Sequence, residues 1–350
     1  MTRRTALAVG TGLLAARALG RAVAQPHFGG AVVLVTGGSR GLGFLLAREF
    51  ARDGARVAIC ARNEMDLARA RRDLLHEGPA VLSVRADVAV REDVDRLVAE
   101  VIGRYGRIDV LVNNAGEIEV GPLATNGPED FARAMDVMFW GILHPTLAVL
   151  PGMRARRSGR IVNVTSIGGK VSVPHLLPYG CAKFAAVGLS EGLRAELAGT
   201  GVRVTTIVPG LMRTGSYLQA RFKGRQEAEY GWFALGATLP GVSMSAERAA
   251  RAIVRATARG ESERILTLPA KLAAWMHGLF PGATADLLGL VNRLALPAGN
   301  GRARARGEEI EARIDAPWLR ALTALGRVAA ERLHERRQPE RTPSHGAAPA

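Results

Sequence analysis

Tyr179 and Lys183 are four residues apart, the spacing that puts two side chains on one face of a helix. An ammonium beside a phenol favours the phenolate, so the pair predicts a tyrosine pKa brought down toward working pH. A phenol tuned that way passes a proton to or from an alcohol oxygen. The choice of lysine is informative. The chain has 47 Lys and Arg together, yet only Lys170, Lys183, Lys223 and Lys271 are lysines. Arginine would bring the charge without a compact three-donor ammonium. Ser166 lies 13 residues before Tyr179, at the end of a predicted strand. From there its hydroxyl can bond a substrate oxygen and the phenol together. Read alone, Tyr-x-x-x-Lys also describes a solvated helix face, which is the commoner case. The elements upstream decide between the two.

Those elements begin at Ala31-Val32-Val33-Leu34-Val35, a continuous apolar run of the kind a buried parallel strand needs. It leads into Thr36-Gly37-Gly38-Ser39-Arg40-Gly41-Leu42-Gly43, and helical spacing follows at Leu42, Leu45, Leu46 and Phe50. Strand, glycine-rich turn and helix together let the backbone approach a pyrophosphate and aim free N–H groups at it. The second strand, Arg56 to Cys60, ends in Ala61-Arg62-Asn63. A unit that prefers NAD places an acid there for the ribose 2′-hydroxyl. Arg62 and Arg40 predict a clamp for a 2′-phosphate instead, and so NADP(H) rather than NAD(H).

Helical patterns over 64–77, 91–104, 128–150 and 178–198 alternate with strands over 80–85, 108–112, 160–165 and 202–208. Asp87 and Val88 follow the third strand. Asp87 would contact adenine or cap the helix that begins near Val90. Asn113-Asn114-Ala115-Gly116 puts polar groups at a strand's C-terminal end, where open parallel sheets bind ligands. Helix 245–259 and strand 263–268 complete the series. The pattern predicts an α/β fold, a doubly wound parallel sheet of the Rossmann type.

Residues 31–267 resemble the short-chain dehydrogenase/reductase family. Thr36-Gly37-x-x-x-Gly41-x-Gly43, Asn113-Asn114-Ala115-Gly116, Ser166 with Tyr179-x-x-x-Lys183, and Pro209-Gly210 with Thr214 occur in the family's order and spacing. The resemblance implies that Tyr179 is the general acid/base and that Ser166 orients the substrate carbonyl. Lys183 would lower the phenol's pKa and hold the nicotinamide ribose. The cofactor would lie along Thr36, Gly37, Ser39, Arg40, Gly41, Leu42 and Gly43. It would continue past Arg62, Asp87 and Val88 to Asn114, Ala115 and Gly116, and end at Pro209, Gly210 and Thr214. One departure stands out. The family carries an Asn, holding a proton-relay water, where this chain reads Val137-Met138-Phe139-Trp140-Gly141. A thioether is a poor hydrogen-bonding group.

The remaining stretches bound partners and placement. Residues 1–28 form a basic and apolar leader, with Arg3-Arg4, an apolar run to Leu14, then Arg17, Arg21 and Ala22-Val23-Ala24. It reads as a helix on the cytoplasmic membrane face or a frayed leader, ahead of a cleaved export signal. The catalytic domain spans 29–268, a helical extension spans 269–337, and 338–350 read as a disordered tail. Lys271 to Pro297 is apolar. Residues 317–336 read as one helix with Trp318, Leu322, Leu325, Ala329 and Leu333 on one face. Either segment would pack back on its own domain, cover a second copy of the chain in a homo-oligomer, or lie on a membrane. The net charge of +15 comes from scattered arginines without a recognition motif, so no nucleic acid is expected. Two cysteines, Cys60 and Cys181, build neither a disulfide framework nor a metal site. Rings at Tyr217, Phe222, Tyr230, Trp232 and Phe233 suit a lipophilic substrate or packing of their own loop. The expectation is an NADP(H)-dependent, cytoplasmic oxidoreductase acting on a carbonyl or secondary alcohol. Its rivals are a nucleotide-binding sensor or scaffold with little turnover, and an NAD-linked alcohol dehydrogenase.

Overall fold

The computed structural model describes residues 27–336 except residue 79. The leader up to residue 26 and the tail beyond 336 lie outside the described residues. Strand β1 (Val32–Thr36) is buried at all five positions. It pairs in parallel with β2 (Arg56–Ala61) on one edge and β4 (Val110–Asn113) on the other. Alternate residues of β1 serve two cores. Val33 and Val35 pack under helix α1 (Gly41–Arg52) and α9 (Ala246–Arg259). Val32 and Leu34 pack against α3 (Arg91–Tyr105) and α5 (Gly141–Ala155). A strand buried on both faces has to be apolar throughout, which is why it reads as a run rather than an alternation.

After β2 come α2 (Glu64–Leu75) and β3 (Ala80–Arg85), on one side of β1. The chain then crosses back through α3 to β4. A helical stretch follows, made of α4 (Pro128–Met135), a π-helical turn (Asp136–Trp140) and α5. Then come β6 (Gly159–Val164), α6 (Leu177–Glu196), β7 (Val202–Val208), α9 and β11 (Glu263–Ile265). The seven-stranded parallel sheet has the order β3-β2-β1-β4-β6-β7-β11. Strand order reverses between β1 and β4, and a crevice opens there at the strands' C-terminal ends. Residues 128–155 are, among the described residues, the one helical stretch long and apolar enough to cross a membrane. Here they pack against the sheet and α6.

The last third builds a cap. Short strands β5 (Glu119–Val120), β9 (Arg221–Phe222) and β12 (Ala305–Arg306) form one small sheet. Strands β8 (Met212–Arg213) and β10 (Met244–Ser245) pair in another. Helices α7 (Ser216–Gln219) and α8 (Gln226–Thr238) lie over the crevice, and α10 (Leu268–Leu279) and α11 (Pro281–Ala295) form a hairpin beside it. The segment expected as one helix over 317–336 is broken. After α12 (Gly307–Arg313) come α13 (Pro317–Leu322) and α14 (Ala324–Arg332), separated at Thr323. Residues 333–336 leave the helix. The buried face is also shifted by one position over most of its length, to Leu319, Thr323, Gly326 and Ala330, leaving Trp318, Leu322 and Leu325 exposed, while Leu333 is buried as expected. Small residues win that face because α14 runs directly over Gly215 and Thr238, with no room for larger side chains.

A chain of buried polar groups ties the middle strands to their helices. Asn113 donates to Asn163 at 2.9 Å and to Thr146 at 3.2 Å. Asn163 donates to Ser190 at 3.0 Å, and Ser190 shares a 2.7 Å hydrogen bond with Thr206. Asn113 and Asn163 face each other in register across β4 and β6. A buried polar group left without its partner costs about 1–3 kcal/mol. Replacing Asn163 by Ala takes the acceptor from one Asn113 N–H and one of the two partners from the Ser190 hydroxyl, and leaves a gap between buried strands. Denaturant unfolding of Asn163→Ala should therefore show a loss of at least about 2 kcal/mol. A loss below about 0.5 kcal/mol would mean the chain of bonds carries no stability.

Candidate active site

Helix α6 begins with Leu177 and Pro178, so Tyr179 sits in its first turn and Lys183 one turn on. Lys183 is only 4% exposed. Its Nζ donates to the Val164 carbonyl at 3.0 Å, at the end of β6, and lies 5.8 Å from the Tyr179 ring centre. Ser166, two residues past Val164, turns its hydroxyl oxygen to accept from the Gly168 N–H at 3.0 Å. Burial pushes the Tyr179 phenol upward, while a hydrogen bond from Ser166 acts in the opposite direction. Burial also lowers the Lys183 ammonium to about 8. The expectation that the Lys lowers the Tyr pKa is corrected here. The ammonium is turned onto a main-chain carbonyl, its own charge is poorly solvated, and desolvation of the phenol dominates. Tyr179 is thus held in its protonated form, the form that gives a proton away.

The other end of the crevice is built by the glycine-rich turn. The Thr36 hydroxyl accepts from the Asn114 and Ala115 N–H groups at 3.0 and 3.1 Å. The Asn114 side chain donates in return to the Thr36 carbonyl at 3.1 Å and the Gly37 carbonyl at 3.3 Å. Gly37 has φ +64° and packs against the Ala115 backbone. A Cβ on Gly43 would overlap the Gly37 carbonyl oxygen. Side chains at either place would push α1 away from the turn, so the sequence needs glycine there.

One cavity of about 790 Å³ joins the two ends, within the size range of ligand sites. Every site residue singled out in the sequence lines it except Thr36, which braces the turn from beneath. Asp87 is not the cap of α3; Val90 holds that position. The Asp87 carboxylate instead accepts from the Ala89 N–H at 3.0 Å and lies 3.9 Å from Arg62. Arg40 and Arg62 are both half-exposed at the adenosine end. Arg40 lies 3.5 Å from Glu335, and Arg62 lies 4.0 Å from Glu117. Neither acid carries a signal in the sequence. Glu117 follows a motif without belonging to it, and Glu335 comes from the far end of the chain.

The model of the short chain dehydrogenases matches residues 31–223. The chain belongs to that family. It is 36% identical over 263 residues to a dehydrogenase/reductase SDR family protein 7-like of Anopheles gambiae, covering 73% of this chain and 81% of that one. Among solved structures it is similar to an L-sorbose reductase of Gluconobacter frateurii complexed with NADPH and L-sorbose. That likeness has a TM-score of 0.63 and 26% identity, over 70% of this chain and 97% of that one. A gluconate 5-dehydrogenase of Burkholderia cenocepacia in complex with NADP and tartrate is also similar. Its TM-score is 0.62 and its identity 29%, over 70% of this chain and 97% of that one.

This short-chain dehydrogenase/reductase is an NAD(P)-dependent oxidoreductase of a carbonyl or alcohol. The site fits a nicotinamide dinucleotide on its own geometry. Glycines open the backbone at the phosphate end, the N-terminus of α1 points into the cavity, and arginines flank the adenosine end. Met138 lies in the π-helical turn, fully buried among Ala134, Val137 and Ala182. Its Cγ sits near Gly116, as does the Lys183 Nζ. The Met138 side chain and the ammonium thus lie near the same glycine, and the thioether offers no strong hydrogen-bonding group there. Most of the loop aromatics pack inward: Tyr217, Phe222 and Tyr230 are fully buried in one cluster. Trp232 and Phe233 are the rings that reach the cavity wall.

The burial of Lys183 predicts a pH dependence of stability. Its folded pKa, about 8, lies below the ordinary 10.5. Below about pH 8 both states carry the proton and burying the charge costs stability. As pH rises from 8 to 10.5 the folded protein sheds the proton first, so stability is gained. Relative to Lys183→Met, the wild type should gain up to about 3 kcal/mol over that window. Denaturant unfolding at pH 7.5 and 9.5 measures it. A difference that stays flat would show that Lys183 keeps its ordinary pKa.

Proposed function

We propose that this enzyme is an NADP(H)-dependent reductase of a lipophilic carbonyl compound, running the reverse oxidation of the secondary alcohol in the same site. The observation that carries the cofactor reading is the adenosine end. No carboxylate stands at the end of β2, and Arg40 and Arg62 flank the position where a 2′-phosphate would lie. Charge-assisted hydrogen bonds from guanidinium to phosphate favour NADP(H). The lipophilic reading rests on Ile118, Val173, Leu176, Trp232 and Phe233, which line the cavity beyond Tyr179. When bound, the nicotinamide supplies or accepts the hydride. Tyr179, kept protonated by burial, gives its proton to the substrate oxygen during reduction and recovers one afterwards. Ser166 orients that oxygen and the phenol. Lys183, fixed on the Val164 carbonyl, holds the sugar next to the nicotinamide. The intact Ser166, Tyr179 and Lys183 set favours turnover over a scaffold that only binds nucleotide.

Titration by fluorescence should give NADPH a lead over NADH of about 1–3 kcal/mol, reversed or erased in Arg62→Asp. Tyr179→Phe should abolish turnover on a ketone and aldehyde panel while NADPH binding persists. Equal affinities for the two cofactors would remove the NADP(H) reading.

The α10–α11 hairpin supports surface attachment at a membrane. Leu272, Trp275, Met276 and Leu279 on α10, Phe280 between the helices, and Leu287, Leu290 and Leu294 on α11 are exposed. Lys271 and Arg293 flank them, and the chain's charge of +15 suits an anionic leaflet. Co-sedimentation with anionic vesicles should fall at least about tenfold in a Leu272→Ser, Trp275→Ser, Leu279→Ser triple variant that retains turnover. Unchanged lipid binding with a loss of mass in solution would assign the face to a second copy of the chain instead.

A further inference from the structure

The segment 333–336, after α14, runs into the adenosine end of the cofactor cavity. Each of its residues is fastened there. The Gly41 N–H, first in α1, donates to the Leu333 carbonyl at 2.8 Å. Arg69 on α2 donates to the His334 carbonyl at 2.9 Å. The His334 ring packs against Phe44 at a 39° tilt and pairs with Asp73 at 2.8 Å. Gln219, on the substrate loop, donates to the Glu335 carbonyl, and Arg336 pairs with Glu311 at 2.6 Å. Glu335 itself is 4% exposed and lines the cavity. Its carboxylate lies over the Gly41 backbone, where a side chain on that residue would stand. One oxygen is 3.5 Å from the Arg40 guanidinium, and it accepts no hydrogen bond among the described residues.

This is an unusual place for a carboxylate. A buried acid with an unsatisfied oxygen is costly, and it sits beside the arginine that the NADP(H) reading assigns to the 2′-phosphate. We propose that Glu335 is a cofactor-discriminating residue: it competes with a nucleotide 2′-phosphate for Arg40 and sets how far the enzyme prefers NADP(H) over NAD(H). The proposal rests on that reading of Arg40 and Arg62, and adds a group that opposes them. An ionised Glu335 neutralises Arg40 and repels a phosphate dianion in the same pocket. A protonated Glu335 does neither. The charged groups facing it are Arg40 from the turn, Asp66 and Arg69 from α2, and the neighbouring His334–Asp73 and Arg336–Glu311 pairs. Burial raises the Glu335 carboxyl to about 7, with Arg40 and Arg69 drawing it down and Asp66 pushing it up. The discrimination therefore changes across neutral pH, and NADP(H) preference weakens as pH rises.

Adenosine 2′,5′-bisphosphate and 5′-AMP test this without turnover, because they differ only in the 2′-phosphate. Calorimetric titration of both, at pH 6 and pH 8, is run on wild type, Glu335→Gln, Glu335→Ala and Arg62→Ala. The 2′-phosphate also titrates near pH 6, so the comparison is always wild type against Glu335→Gln at one pH. At pH 8 Glu335→Gln should bind the bisphosphate about fivefold more tightly, with 5′-AMP unchanged. At pH 6, where wild type is already protonated, the two proteins should agree within about twofold. Glu335→Ala should follow Glu335→Gln, and thermal melts establish that both are folded. If Arg62→Ala weakens the bisphosphate alone while both Glu335 variants match wild type at pH 8, Glu335 is only a fastening of the C-terminal segment and the proposal is overturned. An equal gain for both nucleotides would make it a plug against any nucleotide, which also overturns it. If Arg62→Ala treats both nucleotides alike, the 2′-phosphate reading itself fails and takes the proposal with it.

Discussion

The site depends on one clasp, between the turn after β1 and the end of β4. Four hydrogen bonds join Thr36 and Gly37 to Asn114 and Ala115 across the point where the strand order reverses. Parallel strands leave their C-terminal carbonyls and following loops on one edge, and nothing in the sheet itself fixes how those loops sit. The clasp does so. It fixes Gly37 against Ala115 and brings the N-terminus of α1 to the crevice. It also sets the start of the stretch from Asn114 to Gly116, whose far end meets Lys183 and Met138. The nucleotide end and the chemical end are thereby parts of one rigid edge.

Burial is the second constraint, and it acts on chemistry as well as stability. Lys183 is enclosed because α6 packs its first turns against the π-helical turn and the end of β6. An ammonium held there loses solvation, and its pKa falls; a phenol held there rises. The two shifts move the groups apart in proton affinity, so the phenol keeps its proton while the ammonium is the readier of the two to give one up. The sequence pattern identifies the pair but assigns the tuning to charge alone. Position in a packed crevice adds the larger effect, and no spacing rule contains it.

What was legible in the sequence is what local chemistry dictates. The run Val32 to Val35 can only be a strand buried on both faces, and Thr36 to Gly43 only a turn into a helix. The doubly wound sheet follows from the alternating elements, and the gathering of Ser166, Tyr179, Lys183 and Asn114 on one edge follows from their places at strand ends and helix starts. The C-terminal residues were legible as helix but not as a face. A period of 3.6 scored by large apolar residues selects Trp318, Leu322 and Leu325, whereas the packed stripe consists of Leu319, Gly326 and Ala330. Close approach to Gly215 and Thr238 favours small residues, and hydrophobicity alone misses that. Glu335 was illegible for another reason: its meaning comes wholly from Arg40, 295 residues away.

The C-terminal segment also changes how the cavity is closed. Leu333 accepts from Gly41 at the phosphate end, and the Glu335 main chain is held by Gln219 on the loop over the substrate end. Four residues thus touch the cofactor turn, α2 and the substrate loop at once. A cofactor that shifts Glu335 has to shift the backbone that Gln219 holds, because side chain and main chain of one residue cannot move independently by much. The Glu335 that stands beside Arg40 is thus joined through its own main chain to the loop carrying Thr214, Tyr217 and Gln219.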